Sequence, residues 1–148
     1  MAYKGVFRAR NPNKYKGDPT NIIYRSRWEL MVMQKLDSHS DVIEWSSEEI
    51  IIRYRSPIDG KVHRYFPDFW VRKKDKDGIL SCDLIEVKPF NQTRPPTVME
   101  GKGITKRYLN EVMTWGINSA KWKAAREYCA EKKWNFVIIT EKELGLKF

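Results

Sequence analysis

The apolar positions of this chain change their period along its length, and each change predicts an element. From Tyr24 to about Leu36 the spacing is helical, with Val32, Met33 and Leu36 on one face, and Asp37-Ser38-His39-Ser40 reads as the exit. Three strand-like runs follow, Glu49 to Arg55, Val62 to Arg72 and Ile79 to Lys88, each rich in β-branched or aromatic residues. The turn sequences Ser56-Pro57-Ile58-Asp59-Gly60 and Lys74-Asp75-Lys76-Asp77-Gly78 separate them, so an antiparallel meander is expected directly after the helix. Asn91 to Gly103, broken by Pro95, Pro96, Gly101 and Gly103, reads as a loop. A helix is expected from about Thr105 to Trp115, a break and cap at Gly116-Ile117-Asn118-Ser119, then a second helix through about Lys132 whose Trp122, Ala125 and Cys129 share a face. Asn135 to Thr140, with Phe-Val-Ile-Ile at its centre, has the continuous apolar run of a strand buried on both faces.

Charged residues interrupt this pattern where burial is expected. At about 100° per residue, Glu29 falls near the centre of the stripe formed by Val32, Met33 and Leu36. Its plain structural role is to snorkel or to pair with Arg25 one turn earlier. In Ile85-Glu86-Val87-Lys88-Pro89, Glu86 and Lys88 point to one side and Ile85 and Val87 to the other. Asp68, in Phe66-Pro67-Asp68-Phe69, is brought level with Glu86 by one register of the short connection between the two strands. Two carboxylates so close repel unless a cation lies between them. Oxygen ligands without His or Cys favour Mg2+ or Mn2+, and a lysine beside such a cation suits phosphodiester hydrolysis. The structural alternatives are a turn cap at Asp68 and an exposed Glu86–Lys88 ion pair, which contributes little.

Composition narrows the class. The 148 residues are 41% hydrophobic and 13% aromatic, enough for a single sizeable core. No apolar run approaches the roughly 20 residues of a membrane span, and Met-Ala-Tyr-Lys-Gly-Val-Phe-Arg is no secretory signal, so an intracellular, non-secreted protein without membrane partners is expected. Cys82 and Cys129 have no CxxC spacing, which supports neither a disulfide framework nor a zinc site; both are expected as buried free thiols. The excess of 28 Lys and Arg over 19 Asp and Glu, a net charge of +9, predicts a polyanionic partner, most simply DNA. Residues 1–21 form an expected basic arm ahead of a single domain over 22–148. Arg8, Arg10, Lys14 and Lys16, with Arg25 and Arg27 beyond, alternate with aromatics and suit a phosphate backbone, and the later loop adds Arg94.

Taken together, Phe-Pro-Asp-Phe, the 17 residues between Asp68 and Glu86, and Glu-Val-Lys resemble the PD-(D/E)xK nuclease signature. The element order helix, three strands, helix, strand is similar to that family's core, and Arg25-Ser26-Arg27-Trp28-Glu29 resembles the first-helix glutamate of TnsA-like transposon endonucleases. The resemblance covers about residues 22 to 144. It implies an α/β fold with a restriction-endonuclease-like αβββαβ core, a mixed central sheet flanked by helices. It implies a Mg2+- or Mn2+-dependent endonuclease in which Glu29, Asp68 and Glu86, with the Val87 carbonyl, hold the cation and Lys88 serves the attacking water. It also gives Lys121 a contact with the scissile phosphate, against the plainer reading of a solvated lysine. Size and basic charge further resemble the small head completion nucleases of tailed phages similar to T4. That implies action on packaged or protruding DNA at the capsid portal, in the host cytoplasm or with the virion, alongside portal or head-completion proteins, as a monomer or a homodimer.

Two other readings stay open at this point: a nonenzymatic DNA-binding head-assembly protein that keeps the fold as a scaffold, and a TnsA-like endonuclease cutting transposon ends. A sequence-specific reader is disfavoured by the lack of a helix-turn-helix, zinc-finger or basic-zipper pattern.

Overall fold

The computed structural model describes residues 4–98 and 100–145. Chain order is β1 (Gly5–Val6), a 3-10 turn at Pro12–Lys14, β2 (Ile23–Tyr24), α1 (Arg27–Ser38), β3 (Val42–Ser47), β4 (Ile52–Arg55), β5 (Val62–Tyr65), β6 (Phe69–Lys74), β7 (Leu80–Val87), a 3-10 turn at Phe90–Thr93, α2 (Lys106–Lys132) and β8 (Asn135–Ile139). The central sheet runs β3-β6-β7-β8, antiparallel except for the parallel pair of β7 with β8. The α1-β3-β6-β7-α2-β8 path is therefore the expected helix, three strands, helix, strand, with a mixed sheet between helices. No described helix is long and apolar enough to cross a membrane.

The three strands of that path are not all the expected ones. Val42–Ser47 supplies the first, whereas Ile52–Arg55 leaves the sheet and pairs only with Val62–Tyr65 in a separate two-stranded ribbon. The departure is written in the backbone: Glu48 adopts a left-handed conformation, φ 54°, immediately after β3. Such a conformation is uncommon for a residue with a Cβ and turns the chain out of the ladder. The run Val62 to Arg72 likewise splits, because Pro67 offers no N–H to a ladder. Its first half belongs to the ribbon and its second to the central sheet.

The two faces of the sheet carry separate cores. On one, Trp45, Phe69, Val71 and Ile85 pack with Val32, Met33 and Leu36 of α1; on the other, Trp70 and Leu84 pack with Trp122, Ala125 and Cys129 of α2 and with Ile52 and Tyr65 of the ribbon. β8 serves both, since Val137 and Ile139 join the first core and Phe136 and Ile138 the second. It is an edge strand whose apolar residues are half-buried, less enclosed than its sequence suggests.

α2 is one helix of 27 residues, not two. Thr105 caps its start by accepting the Tyr108 N–H, and Lys133 ends it in a left-handed conformation, φ 61°. Gly116 lowers helix propensity by only about 1 kcal/mol, and packing on both sides of it outweighs that: Trp115 and Trp122 meet edge to face at 6.1 Å, and Asn118 is buried between them along the helix. The free thiols divide, with Cys129 buried and Cys82 only half-buried.

The basic N-terminal segment does not hang free of the domain. Phe7, Tyr15 and Ile22 are buried, and Phe7 and Tyr15 pack against the fully buried Trp45 at 5.9 and 4.7 Å. Asp37, a buried carboxylate in the last turn of α1, accepts the backbone N–H groups of Arg10 at 2.9 Å and Asn11 at 3.0 Å. Phe7 and Tyr15, read as spacers along a phosphate backbone, are core residues instead, because their area is too large to leave in water; Tyr24 is half-buried, and Tyr3 lies outside the described residues. Arg8, Arg10 and Lys16 stay exposed, and Lys14 donates to the His39 carbonyl at 2.8 Å.

Asp37→Ala should strip two part-buried N–H groups of their acceptor and lower stability by about 1–2 kcal/mol. Urea unfolding reads the loss, and hydrogen exchange at Arg10 and Asn11 should accelerate ahead of the α2 core; unchanged protection there would show that the segment is held by its aromatics alone.

Candidate active site

β6 and β7 pair with Phe69 opposite Ile85 and Trp70 opposite Leu84, so one step further along the same register sets Asp68 opposite Glu86. Alternation puts Leu84 and Glu86 on the α2 face of the sheet, at the end of β7. Glu86 is only 5% exposed. One of its oxygens is fixed: Oε2 accepts from the Tyr65 hydroxyl at 2.5 Å and from the Trp122 indole N–H at 3.4 Å. Asp68 is fixed too, with Oδ2 accepting the Val87 N–H at 2.7 Å. That bond spans the two strands just beyond the end of their ladder, and it turns the Asp68 carboxyl toward Glu86.

The two carboxyls lie within hydrogen-bonding reach of each other. Burial, and next the negative charge of Glu86, raise the Asp68 pKa well above the usual carboxylate range, while the Val87 N–H pulls it down and Glu29 adds a smaller upward push. Burial and the Glu86 charge likewise push the Tyr65 phenol far above its ordinary value, so it stays a donor. Burial and the neighbouring charge therefore favour a proton on Asp68, and a cation between the carboxyls would relieve the same repulsion.

Glu29 is close enough for its charge to act on Asp68, yet its carboxylate is engaged elsewhere. Ser26 caps α1 by accepting the Glu29 N–H at 3.1 Å, and Glu29 Oε2 reaches back to the Arg25 N–H at 2.6 Å. This reciprocal arrangement is close to a capping box. Among the described residues, no three His, Cys, Asp or Glu side chains converge closely enough to hold a metal ion. The expected three-carboxylate convergence is thus reduced to the Asp68–Glu86 pair, because the helix N-terminus binds the third acid. Lys88 follows Glu86 by two residues on the same face, its N–H bonded to the Ile139 carbonyl at 3.0 Å.

Three further residues shape the site without having been singled out in the sequence. Tyr65 and Trp122 are signalled only as apolar-face aromatics, and their polar atoms meet Glu86 only after folding. Glu48 accepts from Arg25 in a short ion pair, and its N–H bonds the Asp68 carbonyl at 3.1 Å. Lys121 is half-buried, not freely solvated, with its ammonium 5.5 Å from the Tyr65 ring centre and 5.8 Å from that of Tyr54. Arg94 stacks 4.7 Å from the Phe90 ring, and the Phe90 N–H is held by Glu141 at 2.9 Å, which ties the loop after Lys88 to the end of β8. Arg27 is exposed.

The donor set fits a hard divalent cation. It is made of oxygens alone, it carries two adjacent carboxyls beside the apolar α2 core, and, apart from the hydrogen bond the two carboxyls can share, Asp68 Oδ1 and Glu86 Oε1 meet no other donor among the described residues. The sign of the proton linkage gives a test. Native Asp68 keeps its proton to higher pH than in the unfolded chain, where 3.8 is the ordinary value. Folding is therefore favoured at low pH, and metal-free stability is lost as pH rises through the raised pKa. In EDTA, the melting temperature of Asp68→Asn minus that of the native chain should grow steadily from about pH 4 upward. A difference constant between pH 4 and 8 would refute the shared-proton geometry.

Comparison with known proteins identifies the family. Residues 39–141 match the TnsA-like endonuclease N-terminal family, a span that begins after α1 and takes in Asp68, Glu86 and Lys88. The head completion nuclease of Enterobacteria phage T4 is similar to this chain throughout, 40% identical over 152 aligned residues that cover 99% of each protein. The order of elements, the opposed carboxyls at the strand ends and these two similarities together show that the chain belongs to the TnsA-like endonuclease family.

Proposed function

We propose that this protein is a divalent-metal-dependent DNA endonuclease that hydrolyses phosphodiester bonds during phage head completion. The observation that carries the reading is the Asp68–Glu86 pair, opposed across two strands with Glu86 buried and Asp68 half-buried, and followed by Lys88. Asp68 and Glu86, the Val87 carbonyl, and Glu29 once released from the Arg25 N–H, would hold Mg2+ or Mn2+. When bound, the ion polarises the phosphoryl oxygen and lowers the pKa of a water. The chain itself does the rest. Tyr65 and Trp122 hold one Glu86 oxygen and leave the other to the site. Lys88 orients the attacking water and stabilises negative charge on the phosphorane. Lys121, Arg25, Arg27 and Arg94, with Arg8, Arg10, Lys14 and Lys16 on the packed N-terminal segment, supply cations for the flanking phosphates.

Family membership alone fits transposon-end cutting equally well. The two-way coverage with the T4 protein, named for head completion, favours that setting. The substrate there is DNA at a filled or filling head, the partners are portal or other head-completion proteins, and the compartment is the host cytoplasm. A scaffold without activity would have no use for two carboxyls opposed in an apolar pocket, where each charge costs stability.

Duplex and branched DNA should be nicked or cut only with added Mg2+ or Mn2+. Asp68→Ala and Lys88→Ala should each slow cutting by about 10²–10⁴-fold while binding to DNA in Ca2+ survives, as read by gel cleavage and fluorescence anisotropy. Cutting at an undiminished rate in both variants would mean that the chemistry lies elsewhere.

A further inference from the structure

The β4–β5 ribbon has an inner face and an outer face of opposite character. Its register pairs Ile52 with Tyr65, Arg53 with Arg64, Tyr54 with His63 and Arg55 with Val62. Alternation sends Ile52, Tyr54 and Tyr65 inward, where Ile52 and Tyr65 are 3% and 4% exposed in the α2 core. The outer face then carries Arg53, Arg55 and Arg64, with the exposed apolar residues Ile51, Val62 and Phe66 around them. No acidic residue stands on that face within the ribbon.

Arg53 and Arg64 sit directly opposite one another, a like-charge cross-strand pair that is destabilising in isolation. None of the three arginines forms an ion pair among the described residues. Two are nevertheless held in place: Arg55 donates to the Gly60 carbonyl at 2.5 Å, and the Arg64 guanidinium lies 5.9 Å from the Phe66 ring. The turn carboxylate that could have relieved the charge, Asp59, is committed to His63 at 2.8 Å and to the Lys61 N–H at 2.9 Å. The ribbon thus presents three unneutralised guanidinium groups, two of them held in place, with the donor geometry best suited to bidentate phosphate contact.

We infer that the outer face of the β4–β5 ribbon docks the sugar-phosphate backbone of duplex DNA beside the cut. The inference rests on the nuclease reading and extends it to a surface outside the carboxylate site. Proximity supports it, since the inner-face residue Tyr65 bonds Glu86 directly. Arg53 and Arg55 are two residues apart, about 6.8 Å by strand rise, comparable with the through-space separation of neighbouring phosphates on one strand of the duplex. A phosphate between Arg53 and Arg64 removes their repulsion, so the surface is more stable bound than free.

The test is Arg53→Gln with Arg64→Gln in the full chain, set against Lys74→Gln with Lys76→Gln, which removes equal charge from the distant β6–β7 turn. Binding of a duplex is measured in EDTA over a range of salt. The ribbon variant should lose about tenfold or more in affinity at moderate salt, and its log K against log salt slope should shrink by about 1.8, or 0.9 for each lost phosphate contact. Its melting temperature should hold or rise, since a like-charge pair is gone, so weakened binding cannot be laid to misfolding. An unchanged slope in the ribbon variant, or an equal loss in both variants, overturns the inference while the nuclease reading stands. Failure of the native chain to bind duplex at all overturns both.

Discussion

Two carboxyls forced to face each other across adjacent strands set the terms for this fold. Asp68 and Glu86 repel at short range, and both lie where burial penalises charge. Each is therefore pinned by a donor from another part of the chain. The Val87 N–H takes Asp68, while the Tyr65 hydroxyl and the Trp122 indole take Glu86. The ribbon, the strand pair and α2 are thereby tied to one pair of oxygen atoms. That dependence explains why the ribbon, which contributes nothing to the central ladder, is seated firmly against it. A hydroxyl and an indole N–H cannot neutralise two acids, however, and the raised pKa of Asp68 marks the charge that remains to be balanced.

How the chain reaches this geometry shows what the amino-acid pattern can and cannot reveal. The order of helix, three strands, helix and strand was legible because apolar period is a local property. So was the pairing of Asp68 with Glu86, which needs only alternation and a short turn. The identity of the first sheet strand was not legible. Val42–Ser47 ends in the polar pair Ser46-Ser47, whereas the run Glu49 to Arg55, which contains Ile52–Arg55, looks like the better strand. The choice between them is made by Glu48 in a left-handed conformation and by Pro67, two backbone features that send one run out of the sheet and split the other. Gly116 misled in the opposite direction, because helix propensity is local and the packing of Trp115, Asn118 and Trp122 that overrides it is not.

The site residues divide along the same line. Asp68, Glu86 and Lys88 could be found because a charged residue inside an apolar run is anomalous wherever it occurs. Tyr65 and Trp122 could not, since an aromatic on an apolar face is what a core requires, and only the fold aims a hydroxyl and an indole at one carboxylate. Glu29 was legible as anomalous, but its carboxylate is held by the N-terminal cap, an interaction equally written in Ser26-Arg27-Trp28-Glu29. The basic charge was legible in amount and misplaced in part. Aromatic residues between the early arginines and lysines gave the look of a nucleic-acid arm, yet Phe7 and Tyr15 complete the core around Trp45.

The capped position of Glu29 and the paired position of Arg25 belong to one small network. Arg25 gives its backbone N–H to Glu29 and its guanidinium to Glu48, and Glu48 in turn bonds the Asp68 carbonyl through its own N–H. A third acid near the carboxyl pair would raise the repulsion there further, as its upward push on Asp68 already shows. In the absence of a cation, the favourable place for that acid is one where a donor meets it; the Arg25 N–H just ahead of α1 supplies the donor, and the first turn of α1 the positive end of the helix dipole. A divalent charge between Asp68 and Glu86 reverses the balance, turning repulsion of Glu29 into attraction. The cap bond to Arg25 is a single exposed hydrogen bond, of the order of 1 kcal/mol, so the cost of releasing Glu29 is small beside the charge that would draw it in.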